Sequence, residues 1–477
     1  MLAKRKVIRL GFAPTRRVLH TPYAFNKDIA KQYKEEIEEE LGRYADLELV
    51  NLDFLNEEGL LYDSKDAMTV AEYFIEKKVD AVFIPHCNFG SEEAVVKVAK
   101  AVGKPVLLWG PRDESPDEAG NRYRDSQCGL FATSKVLQQF QVPFTYITNC
   151  KITDDTFKKG FENFLGAASV VKAMTHLRIG QIGTRPSIFW SVKANELELL
   201  EKFGIEIIPI TMIDFERMLK ENLETNSQEV KEEADCLAGR FQSPGFSTQQ
   251  WEKLANLKLT IKKWMISEKL TAVASQCWKP MDVVAGVAPC FAFSELTGEG
   301  YPVICESDIH GAVSSVIALA ASRYNGPTFL ADLTVRHPSN DNAELLWHCG
   351  VFPSVLSKES NSVALHFNRQ NAAVGNWELM HDDITLVRFD AINGRYSCLF
   401  GHAKGVEGPK TFGTYLWAEF NNWVDWEHKF IYGPYIHHCA GIYGKWAPVI
   451  MEACKYLPDI HPDPVDPDEK AIEKYLK

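Results

Sequence analysis

Polar and apolar positions along the first third of the chain switch between two periods. Lys6-Val-Ile-Arg-Leu-Gly-Phe12 reads as a strand, and over 28–41 the residues Ile29, Tyr33, Ile37 and Leu41 recur at helical spacing. The same alternation predicts strands at 47–51, 80–85 and 105–109 and helices at 64–78 and 92–102. Strands alternating with helices imply a parallel sheet wound by right-handed crossovers. Ligands in such sheets bind beyond the carboxyl ends of the strands. That rule singles out the polar segments 13–26, 86–91 and 110–127.

A second α/β pattern starts near Arg178. It predicts a strand at 177–183, a helix at 192–203 and a strand at 205–210. A polar, helical stretch then runs to about Lys269, broken most clearly at Gln242-Ser-Pro-Gly-Phe-Ser247. Core strands at 271–275 and 302–305 run into the polar residues Gln276 and Glu306, and 310–322 reads as a buried helix. Beyond Thr328, runs such as 362–367 and 384–389 are separated by Gly, Asn and Asp turns, the texture of antiparallel sheet. A late helix is expected at 446–456. The proline-rich tail 459–468 is expected to be irregular, with a short helix closing the chain. The expected fold class is α/β: two doubly wound, Rossmann-like parallel-sheet domains, 1–172 and 173–328, and a mainly antiparallel β-rich domain, 329–477.

The 477 residues are 45% hydrophobic and 24% charged, ordinary for a globular chain, and the formal net charge of −12 argues against a nucleic-acid partner. No run approaches the roughly 18 apolar residues needed to span a bilayer. Arg9 and Gly11 interrupt any apolar leader core, so a cytoplasmic location is expected. The 11 cysteines include no CxxC pair, which fits reduced thiols.

Four side chains carry the candidate chemistry. Glu306 follows the apolar strand ending at Cys305, at a strand end where α/β enzymes place reactive groups, although an acid there also suits a helix N-cap. Asp332 is a lone carboxylate in Phe329-Leu-Ala-Asp-Leu-Thr-Val, and an isolated buried carboxylate must be paired, bonded or ligating. His348 lies in the apolar run Leu345-Leu-Trp-His-Cys-Gly-Val-Phe, where a core histidine is the competing reading. His437-His438 are adjacent, so alternation on a strand lets only one of them reach a common site. Two carboxylates and two imidazoles suit a divalent ion such as Mn²⁺ with positions left open for a polyol.

Several ordered stretches resemble the L-fucose isomerase/L-arabinose isomerase family. They are Arg178-Ile-Gly-Gln-Ile-Gly-Thr-Arg-Pro186 with Phe203-Gly-Ile-Glu206, Tyr301-Pro-Val-Ile-Cys-Glu-Ser-Asp-Ile-His-Gly-Ala312, Phe329-Leu-Ala-Asp332, Leu346-Trp-His-Cys-Gly-Val-Phe-Pro353 and His437-His438. The resemblance implies a metal-dependent aldose–ketose isomerase working on an open-chain sugar through an ene-diolate. Glu306 and Asp332 become the acid/base pair and, with His348 and His438, the metal ligands; His348 is either a ligand or a donor that orients one. Mn²⁺ is the implied cofactor, with Co²⁺, Fe²⁺ and Mg²⁺ as alternatives. The implied assembly is a homo-hexamer with sites at subunit interfaces.

On that reading the substrate-binding candidates are Arg16, Arg17, His20, His86, Asn88, Phe89, Gln127, Gln276, Trp278 and His437. The basic loop Pro14-Thr-Arg-Arg-Val-Leu-His20 suits an anionic substrate such as a sulfonated or phosphorylated hexose, or is simply a pair of surface arginines. Two other readings stand beside the isomerase. One is a non-catalytic sugar-binding α/β protein, and the other is a different metal-assisted sugar enzyme, an aldolase or epimerase.

Overall fold

The computed structural model describes residues 7–243, 245–359, 362–366 and 372–465. They form two compact units, one made of 7–172 with 451–458 and the other of 173–450 with 459–465.

The first unit is built on β1 (Ile8–Phe12), β2 (Leu47–Val50), β3 (Ala81–Pro85), β4 (Val106–Trp109) and β5 (Thr145–Tyr146), all parallel in the order β2-β1-β3-β4-β5. Every residue of β3 is buried. Its alternate side chains serve two cores, Val82 and Ile84 packing with Val70 and Phe74 while Ala81 and Phe83 join Phe157 and Phe161. Helices cover both faces, which explains why β3 reads as a continuous apolar run without alternation. The loop after β3 lies against the helix Ser126–Gln139. A Cβ on Gly129 of that helix would sit 1.6 Å from the Phe89 carbonyl oxygen, so only glycine lets the two backbones approach.

The second unit contains two sheets. β6 (Arg178–Ile182), β7 (Glu206–Ile210), β8 (Ala272–Ser275) and β9 (Val303–Ile304) are parallel in the order β7-β6-β8-β9. The crossover from β7 to β8 is three helices, Met212–Thr225, Ser227–Arg240 and Thr248–Ser267. The break expected at 242–247 ends in a capping box, with Ser247 and Gln250 bonding each other's backbone N–H. The polar look of the last helix hides its role: Trp251, Leu254, Leu257, Ile261 and Trp264 are all buried in the unit's core.

The second sheet comprises β10 (Phe329–His337), β11 (Asn340–His348), β12 (Ser362–Leu365), β13 (Ala372–Glu378), β14 (Asp383–Ile392), β15 (Arg395–Val406), β16 (Thr414–Glu419), β17 (His438–Tyr443) and β18 (Ile460–Pro464). Its order is β12-β13-β16-β11-β10-β17-β14-β15-β18, and β15 also pairs with β16. That extra pairing closes β16-β11-β10-β17-β14-β15 into a six-stranded antiparallel ring, which leaves those strands without free edges. The mixed α/β architecture with a largely antiparallel C-terminal sheet therefore agrees with the pattern of the sequence.

Three local expectations are corrected. The tail is not irregular, because Ile460–Pro464 pairs in parallel with β15 from Tyr396↔Ile460 to Phe400↔Pro464. Pro462 and Pro464 cannot donate to a ladder, yet β18 is the outer strand of the sheet, where that loss is tolerated. The helix expected from Val192 begins at Glu196, capped by Asn195, whose side chain accepts from the Glu198 N–H. The strand expected over 362–367 ends at Leu365; Phe367 and the expected closing helix lie outside the described residues.

The Phe89–Gly129 approach makes a direct prediction. Gly129→Ala forces backbone atoms apart and costs on the order of 1–3 kcal/mol, as overpacking of a close contact does. A thermal melt of the variant should show a lowered transition, and an unchanged melting temperature would contradict the close approach.

Candidate active site

The carboxyl end of β9 carries a backbone kink. Glu306 and Ser307 both adopt left-handed conformations, with φ of 65° and 53°. Such conformations cost a non-glycine residue about 1–3 kcal/mol and recur at functional sites. The turn ends β9 and sets Glu306 on the wall of a cavity of about 470 Å³. The same wall carries Asp332, His348, His437 and His438, with Trp278, Phe189, Trp347 and His366.

Strand register brings the distant residues together. Asp332 on β10 lies directly opposite His438 on β17, the arrangement in which cross-strand side chains meet. His438 Nε2 is 3.4 Å from Asp332 Oδ1 and 3.4 Å from Glu306 Oε2. The other ring nitrogen, Nδ1, is 2.9 Å from Asp308 Oδ2. Asp308 is fully buried, and its Oδ1 also accepts the Gly311 N–H to cap the helix Ile309–Ala321. Arg388, on β14 and fully buried, donates to Asp308 through Nη1 at 2.5 Å and to Asp390 through Nε at 2.9 Å. Asp390 in turn meets His310 Nδ1 at 2.9 Å.

Charge follows from this geometry. Burial works against a protonated His438, but Asp308, Glu306 and Asp332 outweigh it and raise its pKa to about 10. Burial likewise opposes ionisation of Glu306, and the neighbouring His438 and His348 hold its carboxyl below the ordinary value. Asp308 is depressed much further: its burial is overcome by the Arg388 guanidinium and by His438. Arg388 faces Asp308 and Asp390, and His438 faces Asp308, Glu306 and Asp332, so four carboxyl groups share one fixed cation and one titratable ring. The group is short of positive charge.

A divalent cation fits that shortage. Ligands about 2.0–2.2 Å from a metal lie roughly 3.0–3.5 Å from one another when adjacent, and the His438 Nε2 separations of 3.4 Å match. With Nδ1 held by a carboxylate, Nε2 would offer its lone pair to a cation that displaces the Nε2 proton. Asp332 Oδ1 is buried and has no hydrogen-bond partner among the described residues. His348 differs. Its Nδ1 accepts the Cys349 N–H at 2.9 Å, so in its neutral form the ring carries the proton on Nε2, which is buried and has no partner among the described residues.

Strand alternation would let only one of the two histidines reach a common site, but both line the cavity, with ring centres 4.4 Å apart. The reason is local: β17 starts at His438, so His437 sits in the bend before it and pleat alternation does not apply. Trp278 Nε1 donates to Glu306 Oε1 at 3.3 Å, and Phe189 meets the Trp278 ring edge-on. Gln276 is not part of the cavity wall; its Oε1 accepts the Thr184 N–H at 3.2 Å. Asp308, Arg388, Asp390 and His310 escaped the sequence reading. Arg388 and Asp390, two apart in an apolar strand and so on one face, were the available signal.

The remaining predicted residues belong to the first unit. Arg16 is buried, stacks on Tyr62 at 3.6 Å and is paired with Glu58. Arg17 stacks on Phe89 at 4.5 Å, and its backbone N–H donates to Asn88 Oδ1. No carboxylate among the described residues pairs with Arg17. His86 is fully buried and bonds the Phe89 carbonyl through Nδ1. Arg17, His86, Asn88 and Phe89 thus form one patch, while His20 and Gln127 are exposed.

Residues 18–175 match the sequence model of the fucose/sulfoquinovose isomerase N-terminal domain. A sulfoquinovose isomerase of Priestia aryabhattai is 29% identical over 386 residues, covering 80% of this chain and 84% of that protein. Another, of Alkalicoccus urumqiensis, is 26% identical over 404 residues, covering 83% and 87%. The N-terminal third thus matches a fucose/sulfoquinovose isomerase domain, and the chain resembles sulfoquinovose isomerases over about four fifths of its length. Among solved structures, a periplasmic solute binding protein from Actinobacillus succinogenes with bound D-allose aligns with this chain at 12% identity. It covers 58% of this chain and 80% of that protein with a TM-score of 0.16, a value too low to bear on fold or ligand. No described helix is long and apolar enough to cross a membrane.

Two measurements test the electrostatics. Arg388→Met strips Asp308 and Asp390 of their counter-charge and should cost about 3–5 kcal/mol in chemical denaturation; a loss below 1 kcal/mol would show that the guanidinium is not holding them. Burial lowers the His86 pKa to about 4, from an ordinary imidazole value of 6.5. Its depressed pKa favours the neutral form, so this contribution is present above pH 6.5 and is lost as pH falls toward 4. The loss should reach about 3 kcal/mol, and His86→Gln should flatten stability against pH in that window.

Proposed function

We propose that this protein is a metal-dependent aldose–ketose isomerase acting on a sulfonated sugar. The carrying observation is that Glu306 Oε2 and Asp332 Oδ1 each lie 3.4 Å from His438 Nε2 on the wall of a cavity large enough for a hexose. The sulfoquinovose isomerases that the chain resembles over four fifths of its length support the substrate class.

Glu306, Asp332 and His438 would hold the cation, Mn²⁺ with Co²⁺, Fe²⁺ or Mg²⁺ as alternatives, and the bound ion supplies Lewis acidity that makes the sugar C–H next to the carbonyl more acidic. Glu306 and Asp332 move the proton: one carboxylate removes it from one carbon and the pair returns a proton to its neighbour, work typically contributing about 10²–10⁴-fold. Trp278 fixes the orientation of Glu306 by donating to Oε1. The Cys349 N–H occupies Nδ1 of His348 and leaves Nε2 as a donor, so of the two roles the sequence left open we assign it the orienting one. Asp308 holds His438 with its lone pair facing the ligand position.

Arg16 is already neutralised by Glu58, which leaves Arg17 as the cation for the sulfonate. In a homo-hexamer, the assembly the family resemblance implies, the Arg17–Phe89 patch of one copy would complete the cavity of another.

A ketose assay with Mn²⁺ and a hexose either sulfonated at C6 or unsubstituted tests the reading. The sulfonated sugar should turn over faster. Glu306→Gln should lose at least about 10²-fold in kcat with an unchanged melt. Arg17→Leu should raise KM for the sulfonated sugar by about 10–100-fold, the worth of one charge-assisted hydrogen bond, and leave the neutral sugar unaffected. A Glu306→Gln variant as fast as the parent would contradict the assignment.

A further inference from the structure

Three soft donors that the proposed reaction does not use gather beside His348. Cys290 is the first residue of the helix Cys290–Gly298, Cys349 follows His348 at the end of β11, and His366 lies just beyond β12. One ligand atom from each falls within 4.8 Å of the others. The two sulfurs are 3.5 Å apart. Cys290 and His366 are buried, and Cys349 and His366 both line the cavity, which gives an ion a way in.

We propose that Cys290, Cys349 and His366 form a second metal site, for a thiophilic divalent cation of the zinc class, with the fourth position left to a cavity water. Two sulfurs each about 2.3 Å from a tetrahedral zinc lie about 3.8 Å apart. The observed 3.5 Å reaches that value with a small adjustment, whereas a disulfide requires about 2.05 Å. The donor set is also chemically distinct from the carboxylate-rich group around His438. Thiolate and imidazole select zinc-like ions, while carboxylates suit manganese and magnesium.

Binding is balanced: the two thiols release two protons to solvent, and the two thiolates with one divalent ion make a neutral unit. Cys349 Sγ is 3.3 Å from His348 Nδ1, so occupation of this site reaches the proposed reaction centre through one side chain. The site does not depend on the isomerase reading.

Cobalt added to the metal-free full-length protein, kept reduced with a phosphine, provides the test. The expected result is a near-ultraviolet thiolate-to-cobalt charge-transfer band. It should disappear in Cys290→Ser and in Cys349→Ser, and persist in Glu306→Gln and in Cys277→Ser. His366→Gln should weaken cobalt binding at this band by at least tenfold. Cys349 is at the cavity wall, so its variant should keep the parent melting temperature even if Cys290→Ser disturbs the core. Absence of the band at saturating cobalt, or its survival in the Cys290→Ser/Cys349→Ser double variant, would overturn the proposal.

Discussion

The hydrogen bond between Asp308 and His438 is the contact on which the rest of the site depends. Both groups are buried, and both come from elements with other reasons to be where they are: Asp308 caps a helix and His438 opens a central strand of the barrel. Arg388 keeps Asp308 ionised, and Asp390 anchors Arg388 from the other side. A buried carboxylate without such a partner would be too costly to keep charged. With Nδ1 committed, only Nε2 of His438 is left for the cavity. That choice turns a histidine among acids into a directed ligand.

The fold delivers the parts separately and closes them around one point. The small parallel sheet ends at β9, and two left-handed residues turn Glu306 out of the strand direction. The antiparallel barrel sets Asp332 opposite His438 by register alone. One hydrophobic core, from Phe215 and Trp264 through Phe291 to Phe352 and Trp426, underlies both sheets of this unit. Strain at Glu306 and Ser307 is therefore held by a packed surround, as backbone strain at functional sites generally must be.

Much of this was legible along the chain. Glu306 stands out because an apolar strand ends in an acid, and Asp332 because it interrupts an apolar strand with a charge. His348 and His438 are individually ambiguous and gained their weight from the family resemblance. What stayed hidden was non-local. Asp308 reads as an ordinary cap, and its partner Arg388 is 80 residues away. Cys290 and Cys349 are 59 residues apart, with nothing in their spacing to link them. Barrel closure through β15 and β16 leaves no mark on hydrophobic period. The outer strand Ile460–Pro464 was concealed by its prolines, whose missing N–H groups an outer strand does not need.

On the proposed reading, Asp308 aims His438 at a cation shared with Glu306 and Asp332. Manganese titration followed by electron paramagnetic resonance of the free ion measures this directly. The parent protein should take up one tight Mn²⁺ per chain, and Asp308→Asn should bind it about 10–100-fold more weakly while the near-ultraviolet circular dichroism stays native. Equal manganese affinity in parent and variant, or no tight ion in the parent, would contradict it.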